Sequence, residues 1–204
     1  MAAQTAAIEF CNRYFMAKPT GNRLRIIGGQ WRSRLLPFPD VEGLRPTTDR
    51  VRETVFNWLQ PYLPGAQVLD VFAGSGALGF EALSREAGFV NLLERSQKAA
   101  KQLQENAKTL NAKNCNVHMG DSIQILATLN TQFDIIFLDP PFGKGLLPQC
   151  IELIEQHNLI KTQGWVYIES EQELNDLNIP KHWRLHREKK AGQVKLRLFE
   201  VMAK

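Results

Sequence analysis

The stretch Val68-Leu-Asp-Val-Phe-Ala-Gly-Ser-Gly-Ala-Leu-Gly79 decides the fold. It begins with an apolar run typical of a buried strand, passes through three glycines and continues into a helix-forming segment. The spacing G-x-G-x-x-G between a strand and a helix is typical of a loop that binds a nucleoside cofactor. Glycines let the backbone approach a ligand closely, and the following helix N-terminus carries partial positive charge.

Strands and helices alternate downstream of this turn. Five apolar segments are predicted strands, at 68–72, 89–93, 116–119, 133–138 and 165–169. Helices are predicted to about residue 85 and over 97–111, 122–129 and 146–157. This order predicts an α/β fold with a doubly wound, mostly parallel sheet. The segments 183–189 and 194–201 predict an antiparallel C-terminal hairpin that closes the edge of a seven-stranded sheet.

The N-terminal part divides into three segments. Residues 1–22 end in a cluster of helix-breaking residues and are predicted to form a tail or a loosely packed helix. Residues 23–46 hold two short apolar runs around Gly28-Gly29 and predict a small basic hairpin arm. The main domain, 47–204, begins with a helix that Thr47 or Thr48 caps and that Pro61 ends.

Four acidic residues lie at or just beyond the carboxyl ends of the first four predicted strands of the main domain. They are Asp70, Glu94, Asp121 and Asp139. In a doubly wound sheet, ligands bind at this edge. A single loop acid is easily explained by solvent exposure, but four like charges at one edge are unfavourable without a ligand.

Glu94 follows Gly74 by twenty residues. This is the spacing of an acid that accepts hydrogen bonds from ribose hydroxyls. A nicotinamide dinucleotide would satisfy the spacing as well. Asp70, however, lies where a pyrophosphate would be repelled and a positively charged cofactor would be favoured.

The motif Asp139-Pro-Pro-Phe142 directly follows the strand at 133–138. The consecutive prolines fix the backbone, and Pro140 adds a carbonyl acceptor beside the Asp139 carboxylate. Two fixed acceptors match the two hydrogens of an exocyclic amine, and Phe142 offers a flat surface for the base. An ordinary turn would also use two prolines, but the position beside the glycine loop favours a catalytic site.

Composition limits the classes of protein that remain. The 204 residues carry a net charge of +4 and are 44% hydrophobic, which fits one globular domain and excludes disorder. Residues 10–39 contain six bases and no acid, which indicates contact with a polyanion. Three scattered cysteines fit no metal site. With no membrane span or signal peptide in the sequence, we expect a cytoplasmic protein without a metal, most simply a monomer.

The combination of the glycine loop, Glu94, Asp121 and Asp139-Pro-Pro-Phe142 resembles the class I S-adenosylmethionine-dependent methyltransferases, with their Rossmann-like fold. Three further segments are similar to the RsmD family over roughly residues 23–200. They are Arg25-Ile-Ile-Gly-Gly-Gln-Trp-Arg32, Leu44-Arg-Pro-Thr-Thr-Asp-Arg-Val-Arg-Glu-Thr-Val-Phe-Asn-Trp58 and His186-Arg-Glu-Lys189. The resemblance implies methylation of N2 of guanine 966 in bacterial 16S ribosomal RNA, in the small subunit or a late precursor.

The resemblance also implies residue roles. Asp139, Pro140, Pro141 and Phe142 would hold the target amine. The S-adenosylmethionine would be held by Asp70, Phe72, Ala73, Gly74, Ser75, Gly76, Glu94, Arg95, Asp121, Ser122 and Asp139. In this set Asp70 would bind the ammonium group, Glu94 the ribose, and Asp121 with Ser122 the adenine. Asp121 is equally well explained as a helix cap, and Arg95 as an exposed residue.

Arginines are the predicted RNA contacts, because a guanidinium binds phosphate in a forked geometry and stacks on bases. They are Arg23, Arg25, Arg32, Arg34, Arg45, Arg50 and Arg52. For Arg50 and Arg52, ion pairs within the protein are an equally good explanation. Trp31 between the arginines fits RNA stacking or a core anchor.

Three other functions remain open from the sequence alone. The first is an adenine- or cytosine-N methyltransferase that acts on DNA or another RNA. The second is a nicotinamide-dependent oxidoreductase, and the third is an RNA-binding module without activity.

Overall fold

The predicted cofactor turn joins a central strand of the sheet to the helix that follows it. The structure is a computed structural model, and it describes residues 22–41, 47–174 and 177–204. The described strands are β1 (Asn22–Arg25), β2 (Leu35–Phe38), β3 (Gln67–Asp70), β4 (Phe89–Glu94), β5 (Cys115–Met119), β6 (Phe133–Leu138), β7 (Ile160–Glu171), β8 (Trp183–Ala191) and β9 (Val194–Val201). The described α-helices are α1 (Asp49–Leu59), α2 (Ala77–Ser84), α3 (Gln97–Leu110), α4 (Ser122–Leu126) and α5 (Leu146–Gln156). The predicted tail lies outside the described residues, apart from Asn22.

The main sheet has seven strands in the order β5-β4-β3-β6-β7-β9-β8. Strands β3 to β7 pair in parallel, and β9 lies antiparallel between β7 and β8. The chain order reverses where β3 pairs with β4 on one side and β6 on the other, which is the position where such folds bind ligands. The predicted doubly wound, mostly parallel seven-stranded sheet with an antiparallel C-terminal hairpin is therefore confirmed.

Helices cover both faces of the sheet, because its central strands are apolar on both sides. On one face Val68, Phe137 and Tyr167 are fully buried against helices α1 and α2. Phe137 meets Phe56 of α1 edge to face, with the ring centroids 5.9 Å apart. On the other face the strand residues pack against α4 and α5, with Ile154 fully buried. Burial of each such side chain contributes roughly 1.5–3 kcal/mol to folding. The packed strands are therefore held firmly, and so are their ends, which carry the acids.

The basic arm forms the predicted hairpin, with β1 and β2 antiparallel. Its connection is longer than a tight Gly-Gly turn and includes a 3-10 turn at Gly29–Trp31. Two contacts explain this length: Ser84 Oγ donates to the Gly28 carbonyl (2.5 Å) and accepts from the Trp31 amide (3.0 Å). Trp31 packs on the core, which supports the anchor interpretation. The loop is thus shaped by the main domain against which it packs.

None of the helices in the described part of the chain is long and apolar enough to cross a membrane.

Helix α1 begins as predicted, since Thr48 is its N-cap and its hydroxyl accepts a hydrogen bond from the Val51 amide.

Candidate active site

A cavity of about 1590 Å³ opens at the carboxyl ends of β3, β4, β6 and β7. Pockets for one small ligand usually measure about 300–1,000 Å³, so this one has room for a cofactor together with a nucleotide. Most of the predicted site residues line it: Asp70, Phe72, Ala73, Gly74, Ser75, Glu94, Arg95, Ser122, Asp139, Pro140, Pro141 and Phe142. Gly76 and Asp121 do not line it.

The glycine turn places its first glycine in the cavity and uses the other two for packing. Gly76 has φ +81° and is the N-cap of α2, and a Cβ atom there would lie 2.4 Å from Phe80. A Cβ atom on Gly79 would lie 2.2 Å from Leu92, so this glycine lets α2 approach β4. The turn therefore holds the helix close to the sheet while Gly74 faces the ligand space.

Glu94, the last residue of β4, is hydrogen-bonded to the glycine turn that follows β3. Its carboxylate accepts hydrogen bonds from the Gly74 amide (2.8 Å) and the Ser96 amide (2.6 Å). Partial burial raises the pKa of Glu94, while these amide hydrogen bonds lower it. The second lone pair of each carboxylate oxygen can still accept from a ligand hydroxyl.

Asp70 lies at the end of β3 and is almost fully buried. One carboxyl oxygen accepts from the Gly79 amide at 3.1 Å. The other, Oδ1, has no hydrogen-bond partner in the described part of the chain. Burial raises the pKa of Asp70 to about 7, against the opposing effect of the Gly79 hydrogen bond. A buried acid with an unpartnered oxygen at a cavity wall is suited to a cationic ligand group.

Asp121 and Ser122 are both engaged within the protein. One Asp121 oxygen accepts from the Ile123 and Gln124 amides at the start of α4, which is the predicted helix cap. The Ser122 hydroxyl donates to the Val71 carbonyl at 2.6 Å. Ser122 nevertheless lines the cavity, whereas Asp121 does not.

Asp139 directly follows β6, and one of its carboxyl oxygens is held by a residue distant in sequence. The Thr47 hydroxyl, just before α1, donates to Asp139 Oδ2 at 2.9 Å. The pKa of Asp139 lies well above the ordinary value because of burial and the nearby Glu169 charge, with the Thr47 hydrogen bond acting against both. The Asp139 Oδ1 atom is not engaged by Thr47.

The rest of the motif forms the cavity edge. Pro140 is buried, whereas Phe142 is 45% exposed and lines the cavity. The Gly143 amide donates to the Glu171 carboxylate at 2.6 Å, which ties the loop to the end of β7. An exposed aromatic ring on a fixed loop offers a stacking surface for a flat ligand.

The sequence reasoning missed three residues of this site: Thr47, Tyr167 and Glu169. Glu169 lies at the carboxyl end of β7, lines the cavity and accepts a 2.8 Å hydrogen bond from the buried Tyr167 hydroxyl. The rule that identified the other acids, an acid at the end of a parallel strand, would have identified it too. Thr47 carried no comparable signal, because its contact with Asp139 spans 92 residues of sequence.

The predicted RNA-binding arginines divide into two groups. Arg23, Arg25, Arg32, Arg34 and Arg50 are exposed. Arg50 also lines the cavity, and Arg34 donates to the Thr109 carbonyl at 3.2 Å. Arg45 lies outside the described residues.

Arg52 was predicted to contact RNA, and that prediction is wrong. Its side chain is fully buried, donating to the Arg25 carbonyl (2.7 Å) and to Asp49 (2.6 Å), with the Glu81 carboxylate 3.6 Å away. The alternative, an ion pair within the protein, is the correct one. On this amphipathic helix, Arg52 precedes the buried Val55 and Phe56 by three and four residues, which places it on the buried side.

Further basic residues line the cavity beyond those predicted. Lys144 follows the Pro-Pro-Phe motif, and Lys189 and Lys190 lie on β8 near the turn to β9. The Lys189 ammonium donates to the Thr54 hydroxyl of α1 at 3.2 Å, which links the hairpin to the helix. In the part of the chain that the structure describes, the histidines, cysteines and acids form no group suited to a metal ion.

Comparison with known proteins agrees with this geometry. The model of a family described as Conserved hypothetical protein 95 matches residues 24–200. Ribosomal RNA small subunit methyltransferase D of Escherichia coli K12 is 50% identical over 188 residues, which cover 91% of this chain and 95% of that protein. The protein of the same name from Haemophilus influenzae is 45% identical over 181 residues, which cover 87% of this chain and 93% of that protein.

Solved structures point in the same direction. The putative methyltransferase yhhF from Escherichia coli superposes with a TM-score of 0.83 at 50% identity, over 90% of this chain and all of that one. The fold and the site together define a class I methyltransferase. The chain belongs to the family of Conserved hypothetical protein 95, which is the RsmD family predicted from the motifs.

Proposed function

We propose that this protein transfers a methyl group from S-adenosylmethionine to the exocyclic N2 of a guanine in 16S ribosomal RNA. The position implied by the family is guanine 966, in the small subunit or a late precursor of it. The observation that carries the proposal is one shared cavity: Asp139, Pro140 and Phe142 line the same space as Asp70 and Glu94. The relatives' names, ribosomal RNA small subunit methyltransferase D, support the choice of RNA.

The residues fit the donor at two points. Asp70 Oδ1 is buried at the cavity wall without a partner in the described chain, which suits the ammonium group of an amino acid. Glu94 is fixed by two amide hydrogen bonds and presents oxygen lone pairs, which suits ribose hydroxyls. Ser122 and Arg95 line the remaining wall and are the proposed contacts of the adenosine part. When bound, S-adenosylmethionine supplies an electrophilic methyl group on a positively charged sulfur.

The protein's own contribution is to position and activate the amine. The lone pair of the guanine amine is delocalised into the ring, so the amine is a poor nucleophile. In our proposal Asp139 and the Pro140 carbonyl accept its two hydrogens and aim the lone pair at the methyl carbon. The nitrogen–carbon bond forms as the carbon–sulfur bond breaks, and the sulfur keeps the electron pair as a neutral thioether. The surplus amine proton passes to Asp139 or to water.

The RNA must deliver an unpaired base to this cavity. A paired and stacked guanine cannot reach a recessed pocket, so the nucleotide is either extruded or already single-stranded. The exposed arm arginines and the basic residues of the cavity edge, Arg50, Lys144, Lys189 and Lys190, are the proposed phosphate contacts. We propose that the protein works as a monomer, since one chain holds all parts of the site.

The test offers labelled S-adenosylmethionine with three acceptors: small subunits that lack the modification, naked 16S RNA, and DNA. The labelled nucleoside is identified after digestion and its position is mapped in the RNA. We expect N2-methylguanosine at one position. Methyladenosine or methylcytidine as the product would support the rival target, and retained NAD(P) without S-adenosylmethionine binding would support an oxidoreductase.

A further inference from the structure

Glu169 and Asp139 lie side by side at the edge of the sheet. Strands β6 and β7 pair in register, with Phe137 opposite Tyr167 and Leu138 opposite Ile168. One position further on, Asp139 and Glu169 are neighbours. Since side chains alternate between the two faces of a sheet, both acids lie on the face of Phe137 and Tyr167, whose rings are 6.2 Å apart. The cavity therefore holds two adjacent carboxyl groups, of which the proposed chemistry uses one.

The Glu169 side chain is oriented by a hydrogen bond that a simple surface acid would lack. It is 6% exposed, and the buried Tyr167 hydroxyl donates to its Oε2 atom at 2.8 Å. This donor leaves Oε1 as the atom available to a ligand. Because a hydrogen bond to the charged form favours that form, Tyr167 also supports Glu169 as an acceptor. The site thus offers three hydrogen-bond acceptors. The Asp139 carboxylate and the Pro140 carbonyl are proposed to accept the two hydrogens of the amine, and Glu169 is the third acceptor.

Guanine is the base that matches three adjacent acceptors. On its Watson–Crick edge the N2 amine lies next to N1–H, which is a further donor. In adenine and cytosine the ring nitrogen next to the amine is an acceptor and would face the Glu169 carboxylate unfavourably. A flipped base is read through hydrogen bonds of this edge. A base without this donor would leave the buried carboxylate unpaired, and that cost makes discrimination against the base strong.

We propose that Glu169 selects guanine by accepting a hydrogen bond from its N1–H, with Tyr167 as the positioning residue that holds Glu169 in place. The inference rests on the proposed function, because it assigns the base at that same site. It assigns Glu169 to recognition of the base rather than to the reacting amine, which stays with Asp139 and Pro140.

The experiment compares two target bases in otherwise identical 16S RNA, assembled into small subunits. One RNA carries guanine at the methylated position and the other carries 2-aminopurine. 2-Aminopurine keeps the exocyclic amine but has a bare acceptor in place of N1–H. For the unaltered protein we expect kcat/KM to be at least tenfold higher on guanine. This comparison needs no variant, so it does not depend on whether a variant folds.

The Glu169→Gln variant then isolates the N1–H contact from other differences between the bases. Tyr167 still donates to the side-chain oxygen, so the new amide NH₂ faces the base. It opposes the N1–H of guanine but can donate to the bare N1 of 2-aminopurine. We expect kcat/KM on guanine to fall at least tenfold and the preference for guanine to disappear. Tyr167→Phe should reduce the preference partly, and Glu200→Gln on β9, an acid outside the cavity lining, is the matched control.

The outcomes separate this inference from the function on which it rests. If the unaltered protein methylates both bases equally, or if Glu169→Gln keeps the full preference for guanine, Glu169 does not read N1–H. If the unaltered protein methylates neither base while S-adenosylmethionine binding is intact, the proposed function fails first. Binding of S-adenosylmethionine to each variant, measured by calorimetry, shows that the fold is retained.

Discussion

At the scale of single residues, the site depends on carboxyl groups that have lost much of their water before any ligand is bound: Asp70 and Glu169 are buried and Asp139 is half-buried. Asp139, Asp70 and Glu169 all have a raised pKa, and in each case desolvation is the first cause. Such groups are costly for folding, because the charged form has lost its water. Perturbed acids that share one cleft are a common property of catalytic sites.

Replacing Asp139 with alanine tests its role directly. We expect turnover to fall by more than about 100-fold, because one preorganised partner is typically worth ~2.7–4 kcal/mol and the positioning of the amine is lost as well. Binding of S-adenosylmethionine, measured separately by calorimetry, should change far less. Near-normal turnover of Asp139→Ala would remove the residue from the mechanism.

Asp70 makes cofactor binding dependent on pH. Its pKa of about 7 means that a large part of the free protein carries a protonated Asp70 at neutral pH. Only the charged form attracts an ammonium group. The affinity for S-adenosylmethionine should therefore rise as the pH increases from 6 towards 7, and binding should release a proton.

Calorimetry in buffers of different ionisation enthalpy measures that proton. The isosteric variant Asp70→Asn should bind weakly at every pH and release no proton at this position. If the unaltered protein binds equally well at pH 6 and at pH 7, Asp70 does not contact the ammonium group.

At the scale of elements, a buried ion pair fastens the arm and two helices together. Arg52 of α1 faces Glu81 of α2, and Glu81 also accepts hydrogen bonds from the Ile27 amide (2.9 Å) and from Arg85 (2.7 Å). Arg52 in turn donates to the Arg25 carbonyl. Two residues of the arm are thus held by one charged cluster under it.

Arg52→Ala should therefore destabilise the fold. Glu81 keeps Arg85 as a partner, but the Arg25 carbonyl loses its donor and the buried site of the Arg52 side chain is emptied, so we expect a loss of about 1–3 kcal/mol. Chemical denaturation measures the loss of unfolding free energy. Arg50→Ala is the matched control: this exposed neighbour should leave stability within about 0.5 kcal/mol. Equal stability of the two variants would contradict the structural role of Arg52.

The elements themselves follow closely from the sequence, and the reasons are local. The strand predicted at 133–138 and the helix predicted from residue 97 begin at those residues in the structure, where Ser96 is the N-cap of the helix. What sequence reasoning missed depends on contacts between distant segments. The link from Thr47 to Asp139 and the burial of Arg52 exist only once α1 packs on the sheet. Charge alone cannot distinguish an arginine that binds phosphate from one that holds two helices together.

At the scale of the whole molecule, exposed basic residues lie in two places: on the arm and at the cavity edge. The arm packs on α2 and α3 and carries exposed Arg32 and Arg34, and Asp40 and Val41 beyond it line the cavity. Arg34 contacts the C-terminal end of α3, whereas the hairpin of β8 and β9 carries Lys189 and Lys190 to the cavity edge. Only an RNA that extends from the cavity over the arm would meet both sets of charge.

Each set should therefore contribute separately to the salt dependence of RNA binding. Every phosphate contact adds roughly 0.7–0.9 to the slope of log K against log salt concentration, because counterions are released. Arg32→Ala with Arg34→Ala, and separately Lys189→Ala with Lys190→Ala, should each weaken binding and make the slope shallower by about 1 to 2. Lys181→Ala is the control: this exposed lysine precedes β8 and lies apart from both the arm and the cavity lining. An unchanged slope for either tested pair would exclude that pair from the RNA interface.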